Sequence, residues 1–484
     1  MESTVAVDTS VPQARIAHAF SVQLICRALG MLASVFSVAM TARYLGPDGY
    51  GKLTIAATFI AMWTSLADLG TGTVIVRRVT SGRGELERLV RVNSGLALMY
   101  CVPLALLAAG AGLIIYHDHD VRVMLVLLSG QLLMLTMTTR FEPVFLTTVR
   151  FSAVALSDVA SRVGTLAMVA ALVAMRADVI WFAVAQLIPP VLQLLIQGGA
   201  AARHLSVRPV FSWSESLGLL RESFPLAAVM VVAVLYWRVD GVILSLVSSH
   251  AEVGFYGLSY TIAFNVEMLS IFFLKSTLST ATELFARDRV AFTDFLRRSV
   301  ELMYFLAIPI AVVGTLLAGP LIRLFGDEAF VGRGTPTLAL LFVAVALRFV
   351  TGTLGQGLFA SHHQRFFLWA SLVTLAVNAV LNLVLAWRFG AVGAAAALVC
   401  TELFGLAITT WWMRRKIGYR SPIAFVLRTL VPTFASVAVL PLLSGQHVIT
   451  TVAAAAAVYV ATSMAVGPVR WSTVAAMRGK AGVS

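Results

Sequence analysis

Charge is scarce in this chain, and cysteine is scarcer. Only 12% of its 484 residues are Asp, Glu, Lys or Arg, and there are three cysteines. Cys26, Cys101 and Cys400 all lie inside long apolar stretches, which excludes a disulfide framework. Polar segments of domain size are absent. No connection between apolar runs exceeds about 20 residues, and a soluble domain needs at least about 50. The longest connection on the outer side, residues 319–334, leaves no room for a catalytic domain, so an embedded polymerase or glycosyltransferase is not expected. The chain reads as no enzyme and implies no cofactor. No histidine sits clearly at the middle of an apolar run, which argues against a histidine proton relay.

What remains is apolar. Hydrophobic residues make up 59% of the chain and the mean hydropathy is +0.89, outside the range of soluble globular proteins. A spanning helix needs about 20 apolar residues. Runs of that length cover roughly 18–42, 52–76, 93–116, 122–146, 153–175, 178–201, 225–248, 253–277, 297–318, 335–358, 367–387, 391–413, 423–443 and 447–467. They predict an all-α polytopic membrane protein of about 14 transmembrane helices. The first run is long, contains Arg27 and lacks a small-residue cleavage site, so it reads as a helix rather than a leader. Connections after even-numbered helices hold 18 Lys or Arg, among them Arg77, Arg78, Arg88 and Arg91, against 7 after odd-numbered ones. Basic loops face the cytoplasm, so both termini are expected inside. The net charge of +13 is then largely topological and points to anionic lipid headgroups rather than nucleic acid.

Two tempting motifs carry no chemistry. Gly46-Pro47-Asp48-Gly49-Tyr50-Gly51-Lys52 has the glycine and lysine spacing of a phosphate loop, but Leu53 follows where Ser or Thr is needed. His117-Asp118-His119-Asp120 has no second ligand cluster and reads as a polar turn. The glycine-rich turn does recur: Tyr50-Gly51 and Thr54-Ile55-Ala56 return as Tyr256-Gly257 and Thr261-Ile262-Ala263. Six helices separate the copies, so both have the same orientation. This predicts two parallel six-helix lobes around a central cavity plus two C-terminal helices. The boundaries are a cytoplasmic tail over 1–17, lobes over 18–203 and 225–413, an interfacial linker over 204–224, added helices over 414–470 and a tail over 471–484. In the linker, Ser212-Trp213-Ser214-Glu215 has capping-box spacing and opens a short interfacial helix.

These motifs together resemble a known family. Ala42-Arg43-Tyr44-Leu45-Gly46-Pro47-Asp48-Gly49-Tyr50-Gly51, Asp68-Leu69-Gly70, Arg238-Val239-Asp240, Glu252-Val253-Gly254-Phe255-Tyr256-Gly257 and Phe389-Gly390-Ala391-Val392-Gly393 are similar to the Wzx-type polysaccharide flippases. Those belong to the multidrug/oligosaccharidyl-lipid/polysaccharide (MOP) exporter superfamily. The resemblance spans essentially the whole chain. It implies translocation of an undecaprenyl-diphosphate-linked oligosaccharide between leaflets by alternating access, in company with polysaccharide polymerase and glycosyltransferases. A lipid II-type flippase and a cation-coupled multidrug exporter are the related alternatives.

Charges retained in the apolar runs supply candidate sites, because each costs about 2.5–3.5 kcal/mol at mid-bilayer. Arg27, Arg140, Arg238, Lys275 and Arg348 suit a diphosphate through charge-assisted hydrogen bonds. Asp68, Asp240 and Glu267 are the carboxylates suited to a coupling proton or Na⁺. Arg238 and Asp240, two apart on a helix, point to opposite sides and need partners elsewhere. Asp158 and Arg162, four apart, are expected to neutralise each other. Ser371, Thr374, Asn378 and Asn382 form one polar stripe, with Asn378 and Asn382 lining a sugar path or bonding a neighbouring helix.

Overall fold

The computed structural model describes residues 13–148, 152–443 and 445–465, without the side chains of 13–28 and of several residues between 225 and 237. Arg27 therefore lies outside the described side chains. In chain order the helices are α1 (Gln13–Ala67), α2 (Thr71–Thr80), α3 (Leu86–Ile115), α4 (His119–Thr139), α5 (Glu142–Thr148), α6 (Ser152–Ala174), α7 (Val179–Ala185) and α8 (Ile188–Ala202). There follow α9 (Trp213–Val247), α10 (His250–Arg287), α11 (Arg289–Leu316), α12 (Ala318–Gly326), α13 (Glu328–Ala360), α14 (Gln364–Ile417), α15 (Ile423–Val439) and α16 (Val448–Ala465). No strand occurs among the described residues.

Among the described residues, eleven helical stretches are long and apolar enough to cross a membrane. Two of them, Leu29–Thr80 and Gln364–Ile417, each hold two of the runs read from the sequence. The division falls at Gly46 (φ 66°, ψ −179°) and Gly390 (φ 61°, ψ −134°). That backbone conformation is essentially closed to residues with a Cβ, which explains why glycine stands at both breaks. With α9, whose C-terminal part is the run at 225–248, the count returns to fourteen. Helix starts follow simple capping rules. Asp118 accepts from the Val121 amide at 3.0 Å to open α4, and Asp288 accepts from Val290 and Ala291 to open α11. The acidic-histidine turn is thus a helix cap.

The described residues form two compact units, one of those up to 44 and from 56 to 231, the other of 45–55 and those from 232 on. Within the second unit the two glycine-rich turns meet. A methyl group on Gly51 would strike the His250 carbonyl, and one on Gly254 would strike the Pro47 carbonyl. Each glycine thus lies under the carbonyl four residues before the other. One turn further on, Gly257 packs against the Thr54 side chain. Small residues permit such backbone approach in bilayers, where apolar burial alone gives helices little reason to associate. The repeat therefore marks a helix crossing. It aligns Gly51 with Gly257 in sequence, whereas Gly51 and Gly254 meet in space.

The linker belongs to the first unit and is tied to α2 and α3. Arg78 reaches Glu222 at 2.8 Å and Arg88 reaches Glu215 at 2.6 Å. The Val210 amide donates to the Arg91 carbonyl at 3.0 Å, and Gly95 leaves room for the Val210 carbonyl. Sequence spacing predicts a capping box opening a short interfacial helix that leads into the next span. Instead, Ser212 Oγ bonds the Glu215 carboxylate at 3.3 Å, that carboxylate serves Arg88, and α9 runs unbroken from Trp213. Hydrogen bonds from Arg88 and Arg78 hold the Glu215 and Glu222 carboxyls below the ordinary carboxylate range.

Two outcomes follow. Gly51→Ala or Gly254→Ala forces the crossing apart, and overpacking of this kind costs about 1–3 kcal/mol. Gly110→Ala, with nothing within 4 Å of its new methyl, should be neutral or stabilising by up to about 1 kcal/mol. Thermal unfolding of the detergent-solubilised variants checks the contrast. The linker pairs have depressed carboxyl pKa values, so their contribution is complete above the ordinary carboxylate pKa and is lost as pH falls through the depressed value. A spin label at Leu217→Cys, with the three native cysteines replaced, should become more mobile below about pH 4. The same gain should appear at neutral pH in an Arg78→Gln/Arg88→Gln variant.

Candidate functional site

In the first unit the polar centre is Arg140, only 2% exposed at the C-terminal end of α4. Its Nη2 donates to the Tyr100 hydroxyl at 2.6 Å and to the Ala67 carbonyl at 3.4 Å. Its Nη1 donates to Asn93 Oδ1 at 3.2 Å and to the Thr71 hydroxyl. Tyr100 passes the contact on, donating to the Ala67 carbonyl at 2.7 Å. Ala67 ends α1 and Thr71 begins α2, with Gly70 between them at φ 65°. Arg140 therefore bridges a broken helix, placing its charge against the negative end of the helix dipole. Asp68 accepts from the Gly70 amide at 3.1 Å in the same break and is half-buried. Among the described residues no carboxylate lies within salt-bridge distance of Arg140. Glu142, two residues on, is exposed. Asp158 and Arg162 do pair, at 3.1 Å, and Arg162 also reaches Ser34 at 2.8 Å.

In the second unit three helices converge on Arg348. Its Nε lies 3.2 Å from Glu267 Oε1 of α10 and 3.4 Å from Glu402 Oε1 of α14. Arg348 is 9% exposed, Glu267 5% and Glu402 1%. The residue assigned to diphosphate and one assigned to ion coupling are thus partners. Glu402 is the member that sequence reasoning passed over. It stands alone in the apolar run at 391–413, so the criterion that selected the other buried charges would have found it.

Asp240, also buried, accepts a hydrogen bond from the Tyr256 hydroxyl and the Gly241 amide at 2.9 Å. Among the described residues no arginine is within salt-bridge distance of it, although Arg348 and Arg238 act on it electrostatically. Arg238 is half-buried on the same helix. Tyr256, Tyr260 and Phe264 stack along α10 with ring centroids 5.9 and 5.8 Å apart, ending one turn before Glu267. Lys275 is exposed, two turns beyond Glu267 or about 12 Å along the helix axis.

The asparagine stripe is partly engaged within the unit, and Asn382 Oδ1 is left buried without a partner among the described residues. Asn378 Nδ2 donates to Thr401 Oγ1 at 3.3 Å, and Asn382 Nδ2 to Asn378 Oδ1 at 3.1 Å, both side chains being buried. The Thr401 contact joins the two halves of α14 across the Gly390 break, and the Asn382–Asn378 bond lies within one half. Near Gly390, Glu252 Oε2 accepts from the Ala391 amide at 2.7 Å while Oε1 meets Arg333 Nε at 2.9 Å. Glu252 thus caps the half-helix that Gly390 sets free. Gly393 lets that half-helix lie against the Leu385 carbonyl. This gives a physical reason for two of the family-like motifs.

The comparisons agree with this architecture. The fold is similar to a structure described as lipid II flippase MurJ in an inward closed conformation, with a TM-score of 0.75, 16% identity, and 91% of this chain and 98% of that chain covered. An inward-facing multidrug resistance MATE family transporter of the MOP superfamily aligns with a TM-score of 0.58 at 12% identity, covering 82% and 98%. A MOP superfamily transporter from Pyrococcus furiosus, described as having a binding pocket of reversed polarity, gives 0.53 at 13% identity, covering 82% and 94%. No curated protein matches. The model of one family, described as polysaccharide biosynthesis protein, matches residues 16–278, more than half of the chain. With the MOP-type fold around it, that match makes this chain a member of the polysaccharide biosynthesis protein family.

Proposed function

We propose that the protein moves a polyprenyl-diphosphate-linked oligosaccharide across the cytoplasmic membrane for cell-surface polysaccharide assembly, by ion-coupled alternating access. The observation that carries this reading is the second unit's membrane-embedded centre, where Arg348 and Arg238 share one region with Asp240, Glu267 and Glu402. A diphosphate needs cationic, hydrogen-bonding partners wherever water is excluded. Coupling needs carboxylates that can exchange a proton or Na⁺. Family membership supports a polysaccharide precursor as cargo. In this reading Arg27, Arg140, Arg238, Lys275 and Arg348 contribute to diphosphate binding, Asp68, Asp240 and Glu267 to coupling, and Asn378 and Asn382 to the sugar path. Both termini lie in the cytoplasm. Polysaccharide polymerase and glycosyltransferases are the expected partners, as consumer and suppliers of the lipid-linked chain.

The fold similarity to a lipid II flippase favours one second reading, in which the cargo is a peptidoglycan precursor. Reconstitution separates the two. Proteoliposomes loaded with an undecaprenyl-diphosphate-linked oligosaccharide, or with lipid II, are probed from outside with a membrane-impermeant lectin or periodate. Protein-dependent protection or exposure of the oligosaccharide lipid is the expected result. Movement of lipid II alone selects the second reading, and movement of neither rejects both.

Asp240→Asn tests the coupling role. The amide oxygen can still accept from Tyr256 and Gly241, so the variant should fold with near-native thermal stability. Gradient-driven transport should fall at least about tenfold, equivalent to about 1.4 kcal/mol. A folded variant that transports at the native rate under every imposed proton or Na⁺ gradient removes Asp240 from coupling.

A further inference from the structure

The charge balance around Arg348 suggests more than a static pair. One guanidinium faces two carboxylates, both directed at the same Nε. The three groups together carry a formal charge of −1 in a setting from which water is largely excluded. A buried one-to-one pair is self-compensated, whereas a second carboxylate adds a desolvation cost that the single cation does not offset. Binding one proton neutralises the cluster and weakens the hold on Arg348.

The surroundings leave the carboxylates as the responsive members. From α9, Asp240 is within electrostatic reach of both Arg348 and Arg238 and is already engaged by Tyr256. From α10, Tyr260 lies within the electrostatic reach of Arg348, Asp240, Arg238 and Glu267. Toward α11, the neighbouring stretch of α13 presents an apolar contact in which Val350 and Leu354 cluster with Leu296 and Val300. The charged residues Arg297 and Glu301 of α11 bond to each other at 3.1 Å. On α14, the residue before Glu402 is Thr401, which donates to the Ala397 carbonyl and receives Asn378.

We infer that Glu267 and Glu402 form a proton-operated latch on Arg348: charged, they hold the guanidinium, and on taking up a proton they release it to a diphosphate. This rests on the diphosphate reading above and adds Glu402 as a positioning residue for the anion-binding arginine. It links cargo and ion through one side chain. Diphosphate and proton are then bound together. The proton neutralises one of the two carboxylates and the diphosphate takes its place beside the guanidinium, while the other carboxylate keeps the arginine as its neighbour, so no charge is left uncompensated. Without the latch, binding of a phosphate to an arginine favours the charged phosphate and therefore releases protons or exchanges none. The two cases differ in sign.

The experiment is calorimetric titration of the full chain in detergent with farnesyl diphosphate, at about pH 7, in buffers of different ionisation enthalpy. The latch requires net proton uptake on binding, up to about one proton per site, with affinity falling as pH rises. Net release, or no exchange, in the native protein overturns it. Glu402→Gln leaves Arg348 a one-to-one pair with Glu267, and thermal unfolding reports whether it folds. A folded Glu402→Gln should bind about tenfold tighter, because one charge-assisted competitor for Arg348 is gone, and should take up fewer protons. Unchanged affinity and unchanged uptake in that variant overturn the inference. If the variant does not fold, the sign of proton exchange in the native protein decides alone. Failure of the native protein to bind farnesyl diphosphate at any pH counts against the diphosphate reading itself, and the latch falls with it. Binding without uptake removes only the latch.

Discussion

In a bilayer no water reaches a broken helix or a buried charge, so the protein itself must satisfy every polar group it places there. Much of this structure follows from that constraint. The chain interrupts its helices at Gly46, Gly70 and Gly390, each with a positive φ that only glycine adopts at low cost. At two of these breaks, side chains meet the interrupted backbone. Arg140 and Tyr100 donate to the Ala67 carbonyl that α1 leaves behind, and Asp68 accepts from the Gly70 amide. Glu252 takes the Ala391 amide that begins the second half of α14. The residues that look like family signatures are in good part those that allow a helix to break and still have its backbone groups met.

Sequence made the scaffold legible because membrane helices obey a one-dimensional rule. A run of about 20 apolar residues spans, whatever its neighbours are. Hence the fourteen runs are found as helices, and the glycines between fused runs mark their breaks. The Gly51–Gly254 crossing was only half visible. The repeat signalled that both turns matter, but which glycine meets which depends on helix rotation, offset by one turn from the alignment. In the linker the capping box failed for an electrostatic reason. Arg88, distant in sequence, takes the Glu215 carboxylate that would have closed the box.

Side-chain partnerships were least legible, since spacing along one helix says nothing about the helix opposite. Asp158 and Arg162, four apart, could be paired on sight and are paired. Arg348 gave no such clue: its carboxylates stand 81 positions before it, at Glu267, and 54 after it, at Glu402. The asparagine stripe showed its face but not what covers it, and in the fold Thr401 lies against it.

The two units solve the same electrostatic problem in different ways, and the difference bears on where energy could enter. Arg140 is surrounded by neutral dipoles: a hydroxyl from Thr71, another from Tyr100, an amide oxygen and a backbone carbonyl. None of these changes charge near neutral pH, so that cation is held with constant strength. Arg348 is held by two carboxylates, whose grip depends on protonation. A transporter needs at least one binding group whose strength varies with the state of the coupling ion, because a group of equal affinity in both states shifts no equilibrium. Through these contacts Arg140 keeps the break between α1 and α2 in one geometry, while its buried Nε makes no hydrogen bond among the described residues. Arg348, with Glu267 and Glu402 directed at its Nε, is a buried arginine whose hold can vary in that way.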